Sequence, residues 1–238
     1  MTYYYNKNNN TLKSITIPEG YTSIDDYAFC GCSNLTSIII PNSVTKIGYR
    51  AFESCYNLYS INIPNSVKKI ERNTFCYCFN LSSINIPNSV VEIGEYAFCI
   101  CRNLSFITIP NFVSKIGDGT FYKCSNLTSI TIPTSVKYIG EYAFESCSNL
   151  SSIDIPNSVK YIGEGAFRYC PNLKSVIIPD SVSKINYDSF DYDNLKYLKI
   201  SEYLYNKHKL YEILNKECKV KFWKNKSENK TETESENE

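Results

Sequence analysis

The chain has 238 residues, a formal charge of +1 and 43% hydrophobic residues, enough for one large domain or two ordinary ones with a sizeable core. Near-neutrality argues against nucleic acid or an anionic membrane as the main partner, because both need a basic surplus. Lys outnumbers Arg by 21 to 4, whereas bidentate anion recognition would favour Arg.

The N-terminal stretch MTYYYNKNNN has no apolar core of a secretory signal. No run approaches the ~18 apolar residues of a membrane span. By sequence the chain is expected in the cytoplasm, and residues 1–11 are read as a flexible segment.

From Leu12 onward a repeat governs the chain. Ile-Pro recurs with proline at 18, 41, 64, 87, 110, 133, 156 and 179, a constant step of 23 residues. A unit of this length cannot bury its apolar residues alone, but stacked copies can. In the unit that starts at Pro41, Ile61 and Ile63 alternate with polar residues and predict a short strand that Pro64 ends. Ala51, Phe52 and Cys55 have the spacing of one helical turn, and Gly48 marks a turn before them. Asp25, Glu71 and Asn186 stand at the glycine position in other units, so that turn is not expected to require positive φ. Stacking predicts a continuous column of Phe29, Phe52, Phe75, Phe98, Phe121, Phe144, Phe167 and Phe190. Eight strands at ~4.8 Å spacing give a rod or arc roughly 38 Å long.

The eighth unit is one residue short and lacks its cysteine, as suits a terminal repeat. Residues 12–200 are therefore the solenoid. In SEYLYNKHKLYEILNK, Leu204, Leu210 and Leu214 suggest a moderately amphipathic helix, and CKVKFW alternates, so 201–223 reads as a C-terminal cap. Residues 224–238 hold no apolar side chain and are expected to be disordered. At the other end only TYYY is available to cover Leu12, Ile15 and Ile17, unless that edge pairs with something else.

The recurring pattern L-x-x-I-x-I-P-x-S-V-x-x-I-G-x-x-A-F-x-x-C-x-N resembles the BspA-like class of leucine-rich repeat. The resemblance runs from Leu12 to about Ile200, about four fifths of the chain. It implies an α/β repeat fold: a right-handed leucine-rich-repeat solenoid, with a parallel β-sheet on one face and short helical turns on the other. It also implies a surface or adhesive protein that binds other proteins, which places the chain at the cell surface by resemblance although no export signal is visible.

Seven cysteines (32, 55, 78, 101, 124, 147 and 170) share one repeat position and are expected in the core. Cys30, Cys76 and Cys99 sit two residues earlier, where other units carry Glu, Arg or Tyr, and are expected to be exposed. Cys76, Cys78, Cys99 and Cys101 are the only candidate zinc set, and their alternating directions speak against convergence on a metal. The odd cysteine count speaks against a disulfide framework, so packing is the favoured reading. His208 is the single histidine and lies beyond the repeats, so no Ser-His-Asp or Cys-His arrangement can form there. No cofactor is implied, and the chain is read as non-enzymatic. The asparagines of the sequons at 34, 80, 103, 126 and 149 are expected to satisfy turn backbone groups.

Function in such a chain lies in its exposed rows. The outward strand positions are mostly Ser and Thr, with Asn62, Asn85 and Asp154 among them. A basic row (Lys46, Lys68, Lys69, Lys115, Lys137, Lys160, Lys184) and an acidic row (Asp26, Glu95, Asp118, Glu141, Glu164) are expected to pair with each other. Phe106 stands where six other units have Ser, and Phe112 also replaces a Ser. The candidate partner-binding residues are Phe106, Phe112, Asn62, Asn85 and Asp154. They suit a scaffold whose strand face binds a protein or glycan ligand. The alternative is a structural protein that self-associates end to end through the thinly covered N-terminal edge.

Overall fold

A computed structural model describes residues 1–3, 11–186 and 188–223. The expected disordered tail lies outside these residues, as does most of the expected flexible N-terminal segment. In chain order the strands are β1 (Thr2–Tyr3), β2 (Ser14–Thr16), β3 (Ser23–Ile24), β4 (Ser37–Ile39), β5 (Lys46–Ile47), β6 (Ser60–Asn62), β7 (Lys69–Ile70) and β8 (Ser83–Asn85). They continue as β9 (Glu92–Ile93), β10 (Lys115–Ile116), β11 (Tyr138–Ile139), β12 (Tyr161–Ile162), β13 (Ser175–Ile177), β14 (Lys184–Ile185), β15 (Tyr197–Ile200) and β16 (Lys219–Phe222). The one α-helix among the described residues is α1 (Glu202–Lys207).

All strand pairs are parallel and related by one coil of the chain. A first ladder joins β2 to β4, β6 to β8, and β13 to β15 and β16, with single bridges from Thr108 to Thr131 to Asp154 between them. Its Ser-Ile-x pattern is exposed, buried, exposed, so the central Ile points inward and its neighbours outward. A second ladder runs through β1, β3, β5, then β7, β9, then β10, β11, β12, β14. It was not expected. The basic loop row of the sequence lies on these two-residue strands and beside them.

The helical turns expected after the glycine do not form, and the fold is a parallel β-solenoid of stacked coils, not an α/β repeat. In the segment 50–55, Arg50, Phe52 and Ser54 donate to the carbonyls of Arg72, Thr74 and Cys76 in the next coil, at 3.2, 2.9 and 2.8 Å. The intervening Ala51, Glu53 and Cys55 donate three residues back, to Gly48, Arg50 and Phe52. Arg50 and Ser54 reach this arrangement at φ of 53° and 59°. Half of the N–H groups thus bond between coils, where a helix would keep them all within its own turns.

Gly48, Gly94, Gly140 and Gly163 recur for a steric reason. A Cβ at Gly163 would lie 2.6 Å from the Glu141 nitrogen and the Gly140 carbonyl carbon of the preceding coil. The backbones touch there, and positive φ is not the requirement.

The core is the column foreseen from the period. The eight Phe rings, all buried, follow one another at 4.8 to 5.7 Å between centroids and within 15° of parallel. Each buried Phe removes apolar area worth about 2–3 kcal/mol. The cysteines at 55, 78, 101, 124, 147 and 170 lie beside them, each thiol donating to the Phe carbonyl of the preceding coil at 3.1–3.2 Å.

The fixed asparagines differ from expectation. Asn80, Asn103, Asn126 and Asn149 each donate a side-chain N–H to the side-chain oxygen of the Asn one coil earlier, at 3.0 to 3.4 Å, beginning with Asn57. An amide offers both donor and acceptor, so it can continue such a ladder without a break.

At the N-terminal end, β1 pairs with β3, which leaves β2 as the outer strand of the first ladder with Leu12 and Ile15 only partly buried. In the shortened eighth unit, Tyr192 is buried next to Phe190. At the C-terminal end, β16 continues the first ladder from β15, and the Trp223 indole N–H donates to the Ile178 carbonyl at 2.8 Å.

Candidate binding surface

The outward side chains of the first ladder form two neighbouring rows. One carries Ser37, Ser60, Ser83, Phe106, Ser129, Ser152 and Ser175; the other carries Thr16, Ile39, Asn62, Asn85, Thr108, Thr131, Asp154 and Ile177. Small hydroxyl side chains keep these rows flat, so a single large residue stands proud of its neighbours. Phe106 does so, 57% exposed between Ser83 and Ser129. Its segment, like those of Thr131 and Asp154 in the next two coils, makes only single bridges, where β4, β6, β8 and β13 are three-residue strands.

The sequence candidates separate into two places. Asn62 and Asn85 are in register on β6 and β8, with the Asn85 amide donating to Asn62 Oδ1 at 3.5 Å. Asp154 follows Thr108 and Thr131 in the same row, and Phe106 is in the row beside it. Phe112, 68% exposed, lies instead in the turn after Pro110. At that position Ser89, Ser135, Ser158 and Ser181 donate to the Val carbonyl of the preceding coil at 2.6 to 2.9 Å. Phe112 cannot make that bond, and its ring extends into solvent away from the strand rows.

The opposite-charge rows do not pair as expected. Among the described residues, Lys69 alone of the basic row forms ion pairs, with Glu71 at 3.1 Å and Glu92 at 3.0 Å. Acidic residues serve the turn instead. Asp26 and Asp118 accept the backbone N–H of Tyr49 and Glu141 one coil on, at 2.9 and 3.0 Å. Glu164 accepts the Tyr142 hydroxyl at 2.7 Å, and that bond, with burial and the carboxylate charge, raises the Tyr142 pKa to about 12.

Sequence reasoning missed a recess on the turn face. Tyr96, Tyr122, Tyr142, Glu145 and Arg168 line a pocket of about 350 Å³. Glu145 is 6% exposed and pairs with Arg168 at 3.1 Å, and Arg168 also meets Asp188 at 3.3 Å. The guanidinium stands 5.4 Å from the Tyr142 ring centroid. The recess thus already contains its own cation. Two glycines at φ of 57° and 56°, Gly119 and Gly165, make room for the Tyr96 and Tyr142 rings.

The sequence matches the family described as BspA type leucine rich repeat region, in six copies, over residues 2–124 and 68–199. The chain belongs to this BspA-type family. A leucine-rich repeat protein from Bacteroides ovatus is 29% identical and covers 89% of this chain, with a TM-score of 0.56; this chain covers 66% of that one. A second, from Eubacterium ventriosum, is 25% identical over 78% of this chain, with a TM-score of 0.52, and this chain covers 46% of it. The chain thus spans less than two thirds of either relative. Among curated proteins none matches.

In this BspA-type chain the cysteines are less accessible than their repeat position suggests. Cys76 and Cys99 are 4% and 6% exposed, contrary to the expectation of outward thiols, while Cys30 is half-buried. They pack with Ile100 under Phe79, Tyr96 and Tyr122, a small apolar cluster outside the main core. The hydrogen bond to Cys99, then burial, pushes the Cys76 thiol far above its ordinary range, the opposite of an activated nucleophile. Among the described residues no group of three or more His, Cys, Asp and Glu side chains is placed to hold a metal ion. No described helix is long and apolar enough to cross a membrane.

Proposed function

We propose that this leucine-rich-repeat chain is a non-enzymatic scaffold that binds a protein ligand through the outward rows of its first ladder. The observation that carries this reading is Phe106, an exposed ring on a flat hydroxyl-lined face. Hydrogen bonds from Ser, Thr and Asn to a partner mostly replace those made to water. Net affinity therefore needs apolar area, which Phe106 supplies near the middle of the face, with Ile39 and Ile177 toward the ends. Asn62, Asn85 and Asp154 supply direction rather than energy. Family membership supports a scaffold role. The test is capture of a partner from the native source by the parent chain, compared with Phe106→Ser and with Lys137→Ser beside the second ladder. Capture that survives Phe106→Ser and fails with Lys137→Ser would move the site to the second ladder. Growth in apparent mass with concentration, without any partner, would favour end-to-end self-association through β2.

A further inference from the structure

A near-neutral chain concentrates charge at one end of its strand face. Register places Lys199 on β15 and Lys219 and Lys221 on β16 in the outward rows, with Lys174 and Lys196 at the strand starts beside them. Strands ~4.8 Å apart and outward residues ~7 Å apart along a strand bring Lys199, Lys219 and Lys221 into one small patch, while Lys174 beside them donates to Asn194 Oδ1 at 3.4 Å. Among the described residues none of the five forms an ion pair. The acidic residues of the adjoining loops, Asp193 and Glu217, precede β15 and β16 and do not share the outward rows. Lys199 stands 3.5 Å over the Trp223 ring, which the Ile178 carbonyl fixes at the border of the patch. The outer edge of β16 meets no strand among the described residues.

The geometry points to one occupant, the chain's own segment Glu232–Glu238. This segment reads ETESENE, with glutamates at 232, 234, 236 and 238. Alternation with period two puts all four carboxylates on one side of an extended segment, which matches the spacing of Lys219 and Lys221 on β16. Eight residues separate Glu232 from Trp223, and at ~3.3 Å each they reach well beyond the patch. Tethering makes the encounter intramolecular, at an effective concentration in the millimolar range for a short linker. Bound there, the segment would neutralise the lysines and cover the open edge of β16, the exposed strand edge that otherwise invites another chain. The patch adjoins Ile177 at the C-terminal end of the same strand face, several coils from Phe106, and the docking does not depend on Phe106.

The test is zero-length carbodiimide cross-linking of the full chain at low salt, with the joined peptides identified by mass spectrometry. Links within 224–238 are set aside. The result expected is that Glu232–Glu238 joins Lys196, Lys199, Lys219 or Lys221 within one chain. The yield should fall several-fold at ~0.5 M salt, where screening acts within about 4 Å. The combined change Lys199→Gln, Lys219→Gln, Lys221→Gln should lower the links to the unchanged Lys196 several-fold, and Lys46→Gln should not. Replacing the four glutamates by Gln, which alters no described residue, should remove them. Tail links mainly to Lys46 or Lys137, links only between chains, or no tail links at all would each overturn the proposal.

Discussion

The thiol of Cys124 donates to the carbonyl oxygen of Phe98, one coil earlier, at 3.1 Å. The repeated cysteine thus does more than fill space, because a small apolar side chain also gives a buried carbonyl a weak second donor. Burial pushes these thiols up, Cys170 to about 12, against an ordinary value near ~8.5.

That shift fixes a pH dependence. Between about pH 9 and the raised folded values, thiols of the unfolded chain ionise while those of the folded chain stay protonated. The unfolded state then binds fewer protons, so stability is fully present below about pH 8 and falls as pH rises, by up to ~1.4 kcal/mol per unit for each buried thiol. Thermal melts should show Tm declining between about pH 9 and 11, and less steeply when Cys124 and Cys147 are both replaced by Val. A Tm that stays level through this range would contradict the account.

The Phe column sets the second expectation. Phe98 stacks on Phe75 at 5.5 Å and on Phe121 at 5.7 Å, so Phe98→Ala opens a cavity in mid-column. The expected loss is about 3–5 kcal/mol, read from urea unfolding. A variant that melts within a degree or two of the parent would show that the coils do not depend on the column.

Coil-to-coil contact at the glycines gives a graded result. At Gly163 the obstructing atoms are backbone and lie as close as 2.6 Å, whereas at Gly117 the nearest are at 3.3 Å. Gly163→Ala should therefore destabilise by about 1–3 kcal/mol, and Gly117→Ala by clearly less. Urea midpoints in the reverse order would show that backbone approach is not what selects glycine here.

Much of this was legible because the sequence repeats. A step of 23 residues aligns Phe29 to Phe190 whatever the local structure, and Ile61 with Ile63 marks a strand by alternation alone. The turn was misread because Ala51, Phe52 and Cys55 have helical spacing, and nothing in their identities announces positive φ at Arg50 and Ser54. The second ladder was invisible because Lys46–Ile47 is too short to show a period. Cys76 and Cys99 looked exposed because their position accepts Glu and Arg. Phe79, Tyr96 and Tyr122 close over them in just those coils. The lysine patch needed the register of β16 on β15. Phe106 needed only a comparison among repeats.

The measurement that bears most directly on the strand-face reading is the affinity of a captured partner for the parent, Phe106→Ser and Lys137→Ser chains. Serine stands at that position in seven other coils, Ser14 of β2 included, so Phe106→Ser should fold as the parent does. Burying the ring is worth about 2–3 kcal/mol. At ~1.4 kcal/mol per decade its loss should weaken binding ten-fold or more, while Lys137→Ser should change it little. Unchanged affinity for Phe106→Ser together with a loss for Lys137→Ser would contradict the account and place binding on the second ladder.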